Sequence, residues 1–254
     1  MAVSFERRGR SALITIERPE ARNAVNSAVA SGIEAALDRL EAEDDLWVGV
    51  LAGRGPVFCA GADLKEVSSG GFGGQITARG GFAGIVRRQR TKPVIAAVDG
   101  PALAGGCEIV LACDLVVASA AARFGIPEVS RSLVAAAGGL LRLPRYLPPN
   151  VAMEMALTGD PIEAERAHAL GLVNRLVAPG QAVEAALELA ERVCQNAPLA
   201  VRASRQVVKA AAAVAEDELW RLSDQALSSL YGTEDMAEGP RAFVEKWPPV
   251  WKGR

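Results

Sequence analysis

The sequence predicts an α/β body followed by an all-helical tail, and three observations carry that reading. Short apolar runs rich in Val, Ile and Ala, the composition of buried strands, recur as far as residue 177, and most lead into segments of helical periodicity. The strands come singly or in pairs before the helices, a weakly repeating ββα plan without an exact internal repeat. From residue 181 onward every segment reads as helical, and composition shifts at Asn196-Ala197-Pro198. That shift divides a body, residues 1–196, from a helical segment, residues 197–254.

Ser11–Glu17 is a β-type run stopped at Arg18-Pro19, because proline cannot donate to a ladder. Asn26 or Ser27 can cap a helix that carries Val29, Ile33, Leu37 and Leu40 on one face and runs to about Glu43. Trp47–Ala52 is a buried strand broken by Gly53-Arg54-Gly55-Pro56, so the opening order is strand, helix, strand. Val57–Glu66 runs small residues into a charged helix start, with Asp63 placed as its N-cap. Ser68–Gly74, rich in Gly and Ser, is the segment expected to be most mobile. Arg79–Arg90 is predicted helical, ending at Lys92-Pro93 before the strand Val94–Val98. After a helix opening at Gly105-Gly106, Asp114–Ser119 and Ala122–Gly125 read as strands and Ile126–Glu128 as a loop. Short helices are expected over Leu133–Leu147, Val151–Leu157 and Ile162–Leu170, then a strand over Gly171–Val177. Helices over Ala182–Gln195, Leu199–Ala213, Glu216–Leu230 and Thr233–Lys246 complete the chain.

Composition narrows the function. Lys and Arg number 28 against 30 Asp and Glu, a formal charge of −2, and no basic stripe suggests nucleic acid. The four cysteines form no CxxC pair and sit among apolar neighbours, which argues against zinc or a disulfide framework. The first residues lack the apolar core of a signal peptide, and no apolar run is long enough to span a bilayer, so a soluble cytoplasmic protein is expected. No GxxxxGK[ST] or strand-linked GxGxxG offers a phosphate cradle. His168 is the only histidine and stands in no nucleophile motif, so Ser-His-Asp and Cys-His chemistry lack support.

What remains is carboxylate chemistry assisted by backbone N–H groups. In Pro101–Asp114, two glycines open a helix directly after a strand and turn, and Glu108 falls in its first turn. Unpaired N–H groups at such a start can hold developing negative charge, and glycine lets a ligand approach them. The same pattern also describes a tight strand-to-helix connection with an acid favoured by the helix dipole. Val57–Glu66 offers a second backbone wall, or equally an ordinary loop.

Several of these segments together resemble the crotonase superfamily, enoyl-CoA hydratases in particular. The matching stretches are Arg18–Ala24, Phe58–Lys65, Lys92–Gly100, Ala104–Glu108 with Cys113-Asp114, Phe124–Glu128, Ala156–Gly159, Gly171–Asn174 and Glu238–Lys246. They follow the family's order over nearly the whole chain. The resemblance implies a crotonase-like spiral of ββα units with a C-terminal helical oligomerisation segment, assembled as a homotrimer or a dimer of trimers. It implies an acyl-CoA thioester as substrate with no cofactor and no metal, the N–H groups of Ala62 and Gly105 as an oxyanion hole, and Glu108 and Glu128 as the catalytic pair. Arg22, Ala24, Ala60, Asp63, Leu64 and Lys65 fall where the family holds CoA. Ala136 replaces a glycine expected beside the water site, one of two departures, with Ala135, from a usual Pro-Gly. Leu140–Arg145 and Pro249–Arg254 are closer to carnitinyl-CoA dehydratase-like members. The leading expectation is a lyase that adds water to a 2-enoyl-CoA. Alternatives are a carnitinyl-CoA-type dehydratase, an enoyl-CoA isomerase, or a non-catalytic acyl-CoA or RNA-binding scaffold. Trp220, Leu222, Leu227 and Leu230 offer apolar surface for the subunit interface.

Overall fold

The computed structural model describes residues 1–70 and 73–254. Gly71 and Phe72, inside the stretch expected to be mobile, lie outside the described residues. The chain opens with β1 (Val3–Arg8) and β2 (Ser11–Ile16), an antiparallel hairpin. Sequence periodicity does not announce β1, because only Val3 is buried and Glu6, Arg7 and Arg8 are exposed, the charged guard of a sheet edge. α1 (Ser27–Ala42) is capped by Asn26, whose Oδ1 accepts the Val29 N–H at 2.9 Å, and it buries the four residues its periodicity points inward. Then follow β3 (Val48–Gly53), α2 (Leu64–Gly70), β4 (Ile76–Thr77), β5 (Gly81–Phe82), β6 (Val94–Val98), β7 (Ala102–Leu103) and α3 (Gly105–Ala112). β8 (Leu115–Ser119), β9 (Arg123–Gly125), a 3₁₀ turn at Pro127–Arg131, α4 (Gly139–Tyr146), α5 (Pro149–Thr158), β10 (Ile162–Glu163), α6 (Ala164–Ala169) and β11 (Arg175–Val177) come next. Four helices close the chain: α7 (Ala182–Cys194), α8 (Pro198–Ala210), α9 (Glu216–Ser228) and α10 (Glu234–Glu245).

Among the described residues the main sheet has six strands in the order β1-β2-β3-β6-β8-β11, parallel everywhere except between β1 and β2. Its central strands are apolar without alternation because both faces are covered. Leu13, Val50, Ile95 and Val117 pack beneath α7, whereas their neighbours Ile14, Leu51, Ala96 and Ala118 join the core shared with α1 and α3. A smaller sheet pairs β7 with β9 in parallel, Ala102 opposite Phe124 and Leu103 opposite Gly125, and β9 with β10 in antiparallel.

The helix expected over Arg79–Arg90 is absent. A β4–β5 hairpin and a run of turns stand there, because Gly80, Gly81 and Gly84 weaken a helix and serve the turns instead. Gly81 and Gly84 take φ of +68° and +69°, and a Cβ on Gly80 would lie 2.1 Å from the Gly84 carbonyl oxygen. Residues 133–138 are likewise turns and open chain, and the helix expected at Ile162 starts only at Ala164, after β10. In the tail α8 packs on α9, and Arg205 of α8 reaches back to Asp114 at 2.9 Å and to the Arg90 carbonyl at 2.7 Å. Among the described residues no helix is long and apolar enough to cross a membrane.

Candidate active site

Two backbone segments far apart in sequence are zipped together at the mouth of the site. The Ala60 N–H donates to the Arg22 carbonyl at 3.1 Å, Val25 N–H to the Gly61 carbonyl at 2.8 Å and Asp63 N–H to the Val25 carbonyl at 2.8 Å. Arg22 and Asn23 adopt φ of 51° and 54°, a left-handed turn that Asn23 makes tolerable. Its side chain is fully buried, accepting the Arg18 N–H at 3.0 Å and donating to the carbonyls of Arg54 and Val57. The Arg18 guanidinium then bonds the Ala24 carbonyl at 2.6 Å and Asp63 Oδ2 at 3.0 Å. Burial opposes the Asp63 charge, but Arg18 and the Lys65 N–H overcome it and hold that carboxyl below its ordinary range. This bracing leaves the Ala62 N–H donating to nothing among the described residues.

The opposite wall is the start of α3. Ala104 takes φ 51° and ψ −129°, a conformation costly for a residue with a Cβ, and its N–H is fixed on the Gly125 carbonyl at 2.9 Å. The Gly105 N–H, first in the helix, also lacks a partner among the described residues. Gly61, at φ +94°, lies so near that a Cβ there would stand 3.0 Å from the Gly105 nitrogen. A Cβ on Gly105 would meet the Phe82 ring at 2.4 Å, so glycine is needed where Phe82 roofs this wall. The Ala62 and Gly105 donors therefore sit on adjoining segments.

One turn on, Glu108 is 3 % exposed, and its Oε1 accepts the Gly139 N–H at 2.8 Å. Burial pushes its pKa up to about 7; the Gly139 N–H pulls the other way and the Glu128 charge adds to the rise. Glu128 follows Gly125 by three residues in the 3₁₀ turn, so the pairing of β7 with β9 sets both carboxyls from one register. Gly159 and Pro161 press against Pro127 and Gly125 from the end of α5 and so seat that turn. Burial raises the Glu128 pKa as well, and its Oε2 is buried without a partner among the described residues.

The remaining expected residues fall into three groups. Arg22, Ala24 and Ala60 line the zipped segments, while Leu64 and Lys65 project outward at the start of α2, exposed. Ala136 is exposed and donates its N–H to the Val134 carbonyl at 2.8 Å; the backbone groups that bear on the Glu108 carboxyl are those of Ala137 and of Gly139, the first residue of α4. Sequence reasoning gave no separate task to Arg18, Asn23 or Gly139. It also passed over Gln75, which is fully buried and donates to the Asp63 carbonyl at 3.1 Å. Arg18 and Asn23 do stand inside a matching stretch, a signal that could have flagged them; Gln75 has none. All four cysteines are buried, with Cys59 and Cys113 pushed up to about 12, unsuited to thiolate chemistry. Among the described residues no group of three His, Cys, Asp or Glu could hold a metal ion.

The chain is similar to several known proteins along nearly its whole length. Mevalonyl-coenzyme A hydratase sidH of Aspergillus fumigatus is 41 % identical over 94 % of this chain and 90 % of its own length. Carnitinyl-CoA dehydratase of Salmonella typhi is 38 % identical over 95 % and 94 %. The crystal structure of an enoyl-CoA hydratase from Mycobacterium tuberculosis H37Rv superposes with a TM-score of 0.95 at 47 % identity, covering 100 % of this chain and 99 % of that one. The family model described as enoyl-CoA hydratase/isomerase matches residues 6–254, and the chain belongs to that family.

Proposed function

We propose that the protein is an enoyl-CoA hydratase that adds water reversibly across the C2–C3 double bond of a 2-enoyl-CoA thioester. The observation that carries the reading is a pair of carboxyls with raised pKa, Glu108 buried and Glu128 half-buried, on the same framework as two backbone N–H groups with no partner among the described residues. The Ala62 and Gly105 N–H groups hold the thioester oxygen as it becomes enolate-like; such preorganised donors contribute about 10²–10³ in rate apiece. One carboxylate takes a proton from water as its oxygen bonds to C3, and the other carboxyl delivers a proton to C2. A carboxyl with a pKa near 7 is populated in both forms at neutral pH, the condition for efficient transfer in either direction. No metal or nucleotide is required.

Backbone atoms of Arg22, Ala24 and Ala60, with Asp63, Leu64 and Lys65 at the start of α2, form the CoA side of the site, and Ala136 bears on acyl preference. The helical segment, residues 197–254, supplies a subunit interface for a trimer or a dimer of trimers, supported by exposed Trp220 and Leu227 on α9. The compartment is the cytoplasm. The test is the loss of enoyl-thioester ultraviolet absorbance when protein is added to a panel of 2-enoyl-CoA esters. Hydration of at least one member is expected, and tight binding with no turnover across the panel would favour an acyl-CoA binder. A double-bond shift without added water would identify an isomerase. Light scattering at micromolar concentration tests the assembly, and a stable monomer would exclude it.

A further inference from the structure

A cavity of about 310 Å³ opens beside the far end of α3, lined by Ile85, Val86, Arg88, Ala112, Arg142 and Lys209. Its position follows from helix geometry. Ala112 stands four residues beyond Glu108, on the same face and about 6 Å further along the axis, whereas Gly105 lies on the opposite side of Glu108. A substrate whose thioester oxygen is at Gly105 and whose C3 is at Glu108 therefore points its remaining carbons toward Ala112.

The cavity is positively charged beyond what its surroundings neutralise. Arg88 pairs with Asp38 through Nη2, but its Nε and Nη1 are buried without a partner among the described residues, on a side chain 9 % exposed. Arg142 donates to the carbonyls of Val86 and Ala137, and among the described residues neither Arg142 nor Lys209 forms an ion pair with a carboxylate. Behind Ala112, Arg90 and Arg205 share the single carboxylate of Asp114. Lys209 stands exposed at the rim of the cavity; partial desolvation, with Arg90 and Arg205 adding and the Asp114 carboxylate opposing, brings its ammonium down to about 8. Ile85, Val86 and Ala112 give methylenes an apolar path to these donors.

We propose that this cavity receives the distal end of the acyl group and that this end is anionic, a carboxylate held by Lys209, Arg142 and the free donors of Arg88. The proposal rests on the hydratase reading for the direction of the acyl chain. A neutral alkyl end would leave buried donors unpaired, and a quaternary ammonium end would face like charges.

Binding of saturated acyl-CoA esters, which cannot be hydrated, separates this proposal from the catalytic one. Calorimetry compares two esters of equal length, about six to eight carbons by the helix rise, one ending in methyl and one in carboxylate. The carboxylate ester is expected to bind at least tenfold more tightly at 50 mM salt, with the ratio shrinking at 500 mM. Lys209→Met should reduce the ratio severalfold, and Lys209→Glu should reverse it. An ester of the same length ending in a quaternary ammonium should bind the wild type more weakly than the methyl ester, a result that depends on no variant. Equal affinities of the wild type for the carboxylate and methyl esters, or a ratio unchanged in folded Lys209 variants, would overturn the assignment. Enoyl esters of both kinds, ending in methyl and in carboxylate, report hydration separately, so a protein that hydrates neither yet still prefers the saturated carboxylate ester would refute the hydratase reading and keep the pocket.

Discussion

The N–H of Gly139 meets Oε1 of Glu108 at 2.8 Å across 31 residues of sequence, joining the start of α4 to the first turn of α3. A Cβ at Gly139 would stand 3.2 Å from both Cγ and Oε1 of Glu108 and 3.3 Å from the Ala135 Cβ. Gly139→Ala keeps the N–H but pushes the carboxyl aside. Because small misplacements of a reacting group are costly, kcat for hydration should fall about tenfold with little change in Tm. Steady-state kinetics with a thermal melt checks this; unchanged kcat would mean that the carboxyl is not positioned from α4.

Glu108→Gln and Glu128→Gln keep hydrogen bonding and remove proton exchange. Each should lower hydration by ~10²–10⁴, the usual contribution of one general acid or base. The double variant should be far less than multiplicatively worse, since the two act on one water. An isomerase needs a single proton shuttle and would leave one variant near wild type. Near-wild-type hydration by folded Glu128→Gln would remove the two-carboxylate mechanism.

The raised pKa of Glu108 also has a sign for stability. Its carboxyl titrates at about 7 in the fold against 4.5 ordinarily, so the native state favours the protonated form. The corresponding stabilisation is complete below pH 4.5 and lost as pH rises through 7, a change of about 3 kcal/mol. Urea unfolding of wild type and Glu108→Gln at pH 4.5 and 8 should show the wild type losing that much relative to the variant. Parallel profiles would contradict a buried, titrating Glu108.

Arg18 holds the mouth of the site through the Ala24 carbonyl and Asp63. Arg18→Met should destabilise by about 2 kcal/mol, the scale of hydrogen bonds to a charged group in a part-buried place. It should also raise KM for the CoA ester more than it lowers kcat, because the zipped segments carry the proposed CoA contacts. A fall in kcat alone would place Arg18 with the reacting atoms.

Much of this was legible because local signals agreed with tertiary demand. Asn26 announces α1, and the unbroken apolar run Val94–Val98 announces a strand covered on both faces. Glu108 is readable because Gly105-Gly106 must open a helix after a strand. The unreadable parts are those decided by distant neighbours. Arg79–Arg90 carries a helical pattern, but its glycines are held by close backbone contacts, Gly84 against the Ala30 carbonyl among them. Gln75 becomes a support only where the fold brings it beneath Asp63, and Gly139 becomes a ligand of Glu108 only across the α3–α4 contact.

The parallel register of β7 with β9 has one more consequence, for how the family can vary. Glu108 and Glu128 are placed by Leu103 meeting Gly125, not by the number of residues between them. Between those anchors the chain passes through an exposed turn at Ala120-Ala121. Residues gained or lost in that turn shift every downstream number yet leave both carboxyls where the ladder puts them. The twenty positions that separate Glu108 from Glu128 are thus set by the length of that turn and not by the chemistry, and a relative with a longer turn could keep the same chemistry under a different motif.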